Sequence, residues 1–159
     1  MWWRRLRWVL ALLALSTLAT CPVALRRCRT ERKTEEARAM LDYLVARVGL
    51  YYKAHGTLPV DPAGPTPTPA ACCDDGGACA ADTTRWNLPA WRALGFTVDG
   101  PHRYSYSYEL RDGGKRAVVR ATGDLDCNGT YGVYEAQLVP APGATKDLIA
   151  TWTSTNPNE

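Results

Sequence analysis

Several things are scarce in this 159-residue chain, and each scarcity excludes something. It has only two histidines, His55 and His102, and neither has a nucleophile or acid–base partner at motif spacing. That argues against an enzyme of the triad or metallo-hydrolase kind. The body lacks clustered positive charge. Residues 1–33 hold eight Lys/Arg against one Glu, whereas residues 34–159 hold eleven Lys/Arg against fifteen Asp/Glu. The formal charge of +3 therefore belongs to one end of the chain. Nucleic acid is excluded as the main ligand of the body, because affinity there comes chiefly from clustered cations. The six cysteines include no repeated Cys-x-x-Cys, the usual zinc knuckle. Hydrophobic residues make up 46%, enough for one packed domain and too many for wholesale disorder.

The longest uncharged run, Trp8 to Leu25, is eighteen residues. At 1.5 Å per residue it would reach roughly 27 Å, the thickness of a thin bilayer core. Arginines and tryptophans precede it, and Arg26, Arg27, Arg29, Arg32 and Lys33 follow. A cleaved secretory signal, a lipoprotein signal with Cys21 lipidated, and a retained single span all fit some of these features. Pro22 and the basic cluster make a poor cleavage context, and Thr20 is unfavourable before a lipidated cysteine, so a retained anchor is expected. The positive-inside rule alone would place the body in the cytoplasm. Cysteine usage points outward.

From Thr34 an amphipathic pattern begins. Ala37, Met40, Leu41, Leu44, Val48 and Tyr51 or Tyr52 recur at helical spacing, while Arg38, Asp42 and Arg47 fall off the stripe. Gly56 followed by Pro59 is a stop signal. Between Pro22 and Gly56 only Gly49 weakens a helix, so one long helix kinked near Pro22 is expected.

In order and spacing, these features resemble the type IV pilin and type II secretion pseudopilin family. The residues that carry the likeness are Pro22 in an apolar N-terminal segment, the basic and polar stretch Arg26 to Glu36, Ala37-Arg-Ala-Met-Leu-Asp-Tyr-Leu44, and Leu50-Tyr-Tyr-Lys-Ala-His-Gly-Thr-Leu-Pro59. Trp91-Arg-Ala-Leu-Gly-Phe96, Tyr104-Ser-Tyr-Ser-Tyr108 and Gly123-Asp-Leu-Asp126 add to it. One position departs: counting back from Pro22, the family's glutamate falls on Arg5, and no leader ending in Gly-Phe precedes it. The resemblance implies membrane anchoring and assembly with other pilin-like subunits through the N-terminal helix.

Beyond the helix, residues 61–69 carry four prolines and read as an extended surface connection, neither helix nor central strand. Cys72, Cys73, Cys79 and Cys127 suit disulfides in an oxidising compartment. Of the three pairings, the vicinal one is strained. The other two both tie the 72–79 loop to itself and to Cys127. A short helix is expected over 88–95. Strands are expected over 103–110, 116–122 and 131–139, with a fourth over 145–154, and the Asp112-Gly-Gly turn joins the first two. Tyr104, Tyr106, Tyr108 and Leu110 share one face and suit packing under the helix. The loop from Asp124 to Glu135 matches Asp-x-Asp-x-Asn-Gly with Glu at the twelfth position. Asp124, Asp126, Asn128, Thr130 and Glu135 are thus candidate calcium ligands. The rival is a hairpin loop whose Asp and Asn side chains bond the backbone, and the strand-like flanks favour it.

The expected fold is α+β: a long N-terminal helix, its first half transmembrane, packed on an antiparallel sheet of three to four strands. Residues 1–25 form the anchor, 26–56 the amphipathic continuation, and 57–159 the extracytoplasmic loop and sheet. The expected function is that of a pilin-like structural subunit or minor component of an envelope filament or secretion apparatus. Its expected place is the inner membrane as a single-pass protein with a periplasmic or extracellular body, with no cofactor required. The alternative is a solitary anchored periplasmic domain that binds a sugar or a protein and does not assemble.

Overall fold

The computed structural model describes residues 33–143 and 146–157. The chain divides after Arg32, and a second compact unit begins at Lys33. Helix α1 occupies residues 33–55. Its apolar stripe, Ala37, Leu41, Leu44 and Val48, is fully buried. The steps of three and four residues put those side chains on one face, as 3.6 residues per turn demands. Gly56, at φ +72°, ends the helix, and its amide donates to the Tyr52 carbonyl at 2.8 Å.

The stripe lies over a sheet in which each strand pairs with its neighbour in the chain. Its strands are β1 (Ala63–Thr66), β2 (Tyr104–Arg111), β3 (Arg116–Gly123), β4 (Gly132–Pro140) and β5 (Leu148–Thr155), in the order β1-β2-β3-β4-β5, all antiparallel. The register puts Tyr106, Ala121, Tyr134 and Ser154 in one row, and Tyr108, Val119, Ala136 and Trp152 in the next. This is the face that meets the helix. Small residues in β3 and β4 leave room for the helix, and the bulk comes from the tyrosines of β2.

Between β1 and β2 lie a short helix α2 (Ala71–Asp74), a 3-10 turn (Thr83–Trp86) and helix α3 (Pro89–Leu94). Pro89 opens α3, where its missing amide is not needed, and Gly95 closes it in the left-handed conformation at φ +59°. A side chain at Gly95 would run into the Arg47 guanidinium, which instead donates to the Leu94 carbonyl at 2.5 Å. Trp86, Trp91 and Phe96 pack with Tyr106 into an aromatic cluster with centroids 5.2–6.2 Å apart.

Two expectations about the fold need correction. The sheet has five strands, not three to four. The extra strand, β1, forms inside the proline-rich stretch read as a surface connection. It lies at the sheet edge, where proline removes no ladder hydrogen bond. Trp91 Nε1 donates to Thr66 Oγ1 at 3.0 Å and fastens the strand to α3. Gly64, at φ +82°, lets β1 approach β2 so closely that any Cβ there would strike the Tyr106 carbonyl. The second correction concerns the expected half-transmembrane helix. Among the described residues, no helix is long and apolar enough to cross a membrane. The physical reason is that α1 carries Glu35, Arg38, Asp42, Arg47 and Lys53 outside its buried stripe. Pro22 and the run Trp8 to Leu25 lie outside the described residues.

The row Tyr104, Tyr106 and Tyr108 is buried alike but bonded differently. Burial pushes all three phenols well above the ordinary tyrosine range. Tyr108 donates to the Pro59 carbonyl at 2.7 Å, whereas the Tyr106 hydroxyl has no partner among the described residues. A buried polar group without a bond costs ~1–3 kcal/mol, and a made bond contributes ~1 kcal/mol. Tyr108→Phe should therefore lower the urea midpoint by the equivalent of about 1–2 kcal/mol. Tyr106→Phe should leave it unchanged or raise it. Equal losses in the two variants would refute this account of the tyrosine row.

Candidate functional site

The two histidines stand apart and face different surroundings. His55, at the exposed end of α1, donates from Nδ1 to the Tyr51 carbonyl at 2.9 Å and stacks on the Tyr51 ring at 4.1 Å. His102 is buried, 2% exposed, and its Nδ1 lies 3.0 Å from the Gly100 carbonyl oxygen.

The four body cysteines form two disulfides, Cys72–Cys79 and Cys73–Cys127. Of the two pairings left open by the sequence, the structure adopts the one in which Cys72, and not Cys73, joins Cys79. Cys72 is buried and Cys73 half-buried, and α2 presents them to different partners. Cys73–Cys127 fastens α2 to the loop that joins β3 to β4.

That loop holds the candidate calcium ligands. The Asp124 carboxylate accepts from the amides of Asn128 at 3.1 Å and Gly129 at 2.7 Å. The Asn128 Oδ1 accepts from the Thr130 amide at 2.7 Å. Asp124 and Asn128 thus satisfy their own turn, as an Asx loop does. Glu135 lies farther along β4, opposite Arg120 in the register. Its two oxygens accept from Arg120 Nε at 2.6 Å and Gln137 Nε2 at 2.7 Å. Asp124, Asn128 and Thr130 share one loop. Glu135 belongs to a separate cluster on the far face of the sheet. Among the described residues, the group of three His, Cys, Asp or Glu side chains with converging ligand atoms is Cys72, Cys79 and His102.

The face of the sheet away from α1 carries an ion-pair network that sequence reading missed. Arg120 sits between Glu109 on β2, at 2.8 Å, and Glu135 on β4, at 2.6 Å. Burial pushes both carboxyls up. For Glu135, the hydrogen bonds from Gln137 and Arg120 outweigh it. For Glu109, the bond from Arg111 and the Arg120 charge do. Both groups therefore titrate below their ordinary values. A second missed tie is Glu36 on α1, which accepts from the Arg103 amide at 2.6 Å and pairs with its guanidinium at 3.0 Å. Lys33 Nζ donates to the Leu125 carbonyl at 2.9 Å. Together they pin the start of α1 to β2 and to the disulfide-bound loop.

The seam between α1 and the edge strand β5 is open. One cleft of about 370 Å³ lies between Arg38, Asp42 and Trp152, with the Arg38 guanidinium 5.8 Å from the Tyr134 ring centroid. A second of about 370 Å³ lies between Gly49, Leu50, Leu148 and Ala150. The Lys53–Asp147 ion pair, at 3.1 Å, spans the seam beside it. Ile149 and Trp152 on β5 are 47% and 46% exposed, and Leu50 on α1 is 57% exposed. Strand β5 reads Leu-Ile-Ala-Thr-Trp-Thr-Ser-Thr, without a charge or a proline.

Two predictions follow from these groups. Disulfides stabilise mainly by restricting the unfolded chain, more for longer loops. The Cys73–Cys127 bridge spans a separation of 54 residues and Cys72–Cys79 one of 7. Replacing the first pair with serines should cost about 4 kcal/mol and the second about 2 kcal/mol on that scaling, read from denaturant unfolding. The reverse order would contradict the assigned pairing. The second prediction concerns acid. A carboxylate with a depressed folded pKa contributes stability above its unfolded pKa, about 4.3, and loses it as pH falls through the folded value. The melting temperature should be level above about pH 5 and fall below about pH 4. Arg120→Met should lower it at pH 7 and flatten the acid fall. An acid limb identical to wild type would exclude Arg120 as its source.

No family model, no curated protein and no solved structure matches this chain, so the pilin and pseudopilin resemblance rests on the quoted residues alone.

Proposed function

We propose that this chain is a structural subunit of the pilin-like kind, a minor component of an envelope filament or secretion apparatus whose work is assembly and not turnover. Residues 33–157 are its extracytoplasmic body, and the sequence before Lys33 holds that body at the inner membrane. Two disulfides in the body support an oxidising compartment. The placement of His55 against its own helix and of His102 inside the fold supports a non-enzymatic role.

The observation that carries the reading is the edge strand β5. Folded proteins commonly protect a sheet edge with a lysine, a proline, a bulge or a covering element. Strand β5 has none of the first two, pairs with β4 from Leu148 to Thr155 without a break in register, and exposes Ile149 and Trp152. Beside it, α1 leaves Leu50 exposed at 57%. An edge left uncovered among the described residues, next to an apolar seam, suits an extended segment of a neighbouring subunit, which would add a strand and fill the clefts.

The test places a photoreactive phenylalanine derivative at Trp152 in the full chain, expressed in its own cells. Irradiation should give adducts identified by mass spectrometry as a second copy or another envelope-assembly subunit. The same group at Arg111, on the opposite part of the sheet, should give none. A chain that stays monomeric and unlinked at Trp152 would overturn the assembly reading and favour a solitary binding domain.

A further inference from the structure

The convergence of Cys72, Cys79 and His102 is the arrangement that the assembly reading leaves unused. Cys79 and His102 form an isolated antiparallel bridge. The Cys79 amide donates to the His102 carbonyl at 2.7 Å, and the His102 amide donates to the Cys79 carbonyl at 3.1 Å. Residues that exchange both bonds face each other directly, with side chains on the same side of the ladder. Cys72 reaches the same place from α2. The two sulfurs and one ring nitrogen of His102 lie within 4.8 Å of one another, and the three residues are 3%, 0% and 2% exposed.

The tautomer of the neutral His102 ring follows from its neighbour. Gly100 offers a carbonyl oxygen to Nδ1, and a carbonyl only accepts. In the neutral ring Nδ1 therefore carries the proton and Nε2 presents a lone pair. Nε2 is buried and has no hydrogen-bond partner among the described residues. Leaving such a group unpaired is costly in a folded protein. An Nδ1–H bond to a backbone carbonyl is also the usual support of a histidine that ligates a metal through Nε2.

We propose that Cys72, Cys79 and His102 form a redox-gated zinc site. In the oxidised state the sulfurs are joined, and neither offers a thiolate. A dithiol reductant opens the bond by thiol–disulfide exchange: the reductant becomes a disulfide, and Cys72 and Cys79 each take up one proton and leave as thiols. Zn²⁺ then displaces those two protons to solvent and binds two thiolates and Nε2. Two thiolates balance the divalent charge, so the buried complex is neutral, whereas a monovalent soft ion would leave a net negative charge in the core. Zinc bond lengths of about 2.3 Å to sulfur and 2.0–2.1 Å to nitrogen need ligand atoms about 3.5 Å apart in tetrahedral geometry. The present spacing therefore requires side-chain shifts of about 1 Å. Three protein ligands leave the fourth position to water or to an incoming group.

The test uses the full chain carrying Cys21→Ser and Cys28→Ser, reduced with a phosphine under argon and titrated with Zn²⁺ against a chromophoric chelator. One tight zinc per chain is expected, none in the oxidised protein, and at least a tenfold loss of affinity in His102→Phe. X-ray absorption at the zinc edge should show two sulfurs and a nitrogen. A sulfur-only shell, or unchanged affinity in His102→Phe, would overturn the site, because either result assigns the metal to Cys73 and Cys127. If reduction abolishes the near-ultraviolet circular dichroism, Zn²⁺ should restore it in the wild-type chain and not in His102→Phe. Failure to restore it in the wild type would also overturn the site.

Discussion

Seating α1 on the tyrosine row of β2 is the contact on which the rest of the structure depends. The stripe from Ala37 to Val48 is fully buried, and so are Tyr104, Tyr106 and Tyr108 beneath it. Each surface needs the other: a helix in a protein draws most of its stability from packing its amphipathic face, and a sheet with one apolar face needs a cover. The contact also decides where small residues must stand. Ala121 and Ala136 lie in the register rows of Tyr106 and Tyr108, and Gly123 lies so close to Tyr104 that a Cβ there would fall 2.6 Å from its ring. Those small residues let the helix axis approach the sheet.

Much of that contact was legible because it is written in local periodicity. The three-and-four spacing from Ala37 and the alternation from Tyr104 each reveal one face from a single stretch of chain. The Pro89 and Gly95 punctuation of α3 is local in the same sense. What escaped reading depends on distant partners. Strand β1 was hidden because its prolines argue against a strand unless the strand lies at an edge, and edge position is a property of the whole sheet. The bonds from Glu36 to Arg103 and from Lys33 to Leu125 join residues with no pattern in common. His102 has no partner at motif spacing, and only the bridge to Cys79 sets it beside two sulfurs. The Asp124 loop shows the converse: a ligand-like spacing was visible, and in the fold the Asp124 and Asn128 oxygens accept from amides of the loop itself.

The two faces of the sheet do different work. Toward α1 it is apolar, and the packing there is specified by shape. On the other side Arg120 reaches carboxylates on both adjacent strands, while Arg116 bonds Gln137 at 2.9 Å. Ion pairs near the surface contribute little singly. Strung across β2, β3 and β4, they fix register, because a slip of one residue would turn Arg120 inward under the helix.

Cys73–Cys127 gives the body a topological property as well as an energetic one. The chain between those residues, which contains α3, β2 and β3, is a covalently closed ring, and β4 and β5 leave it as a tail. A protease that cuts once anywhere in that ring separates no mass: the pieces remain one molecule until a reductant reaches the bond. A cut in the stretch between β4 and β5 releases β5 at once from the covalent body. Damage at the surface is thus sorted by position, and β5 is a part that can be shed.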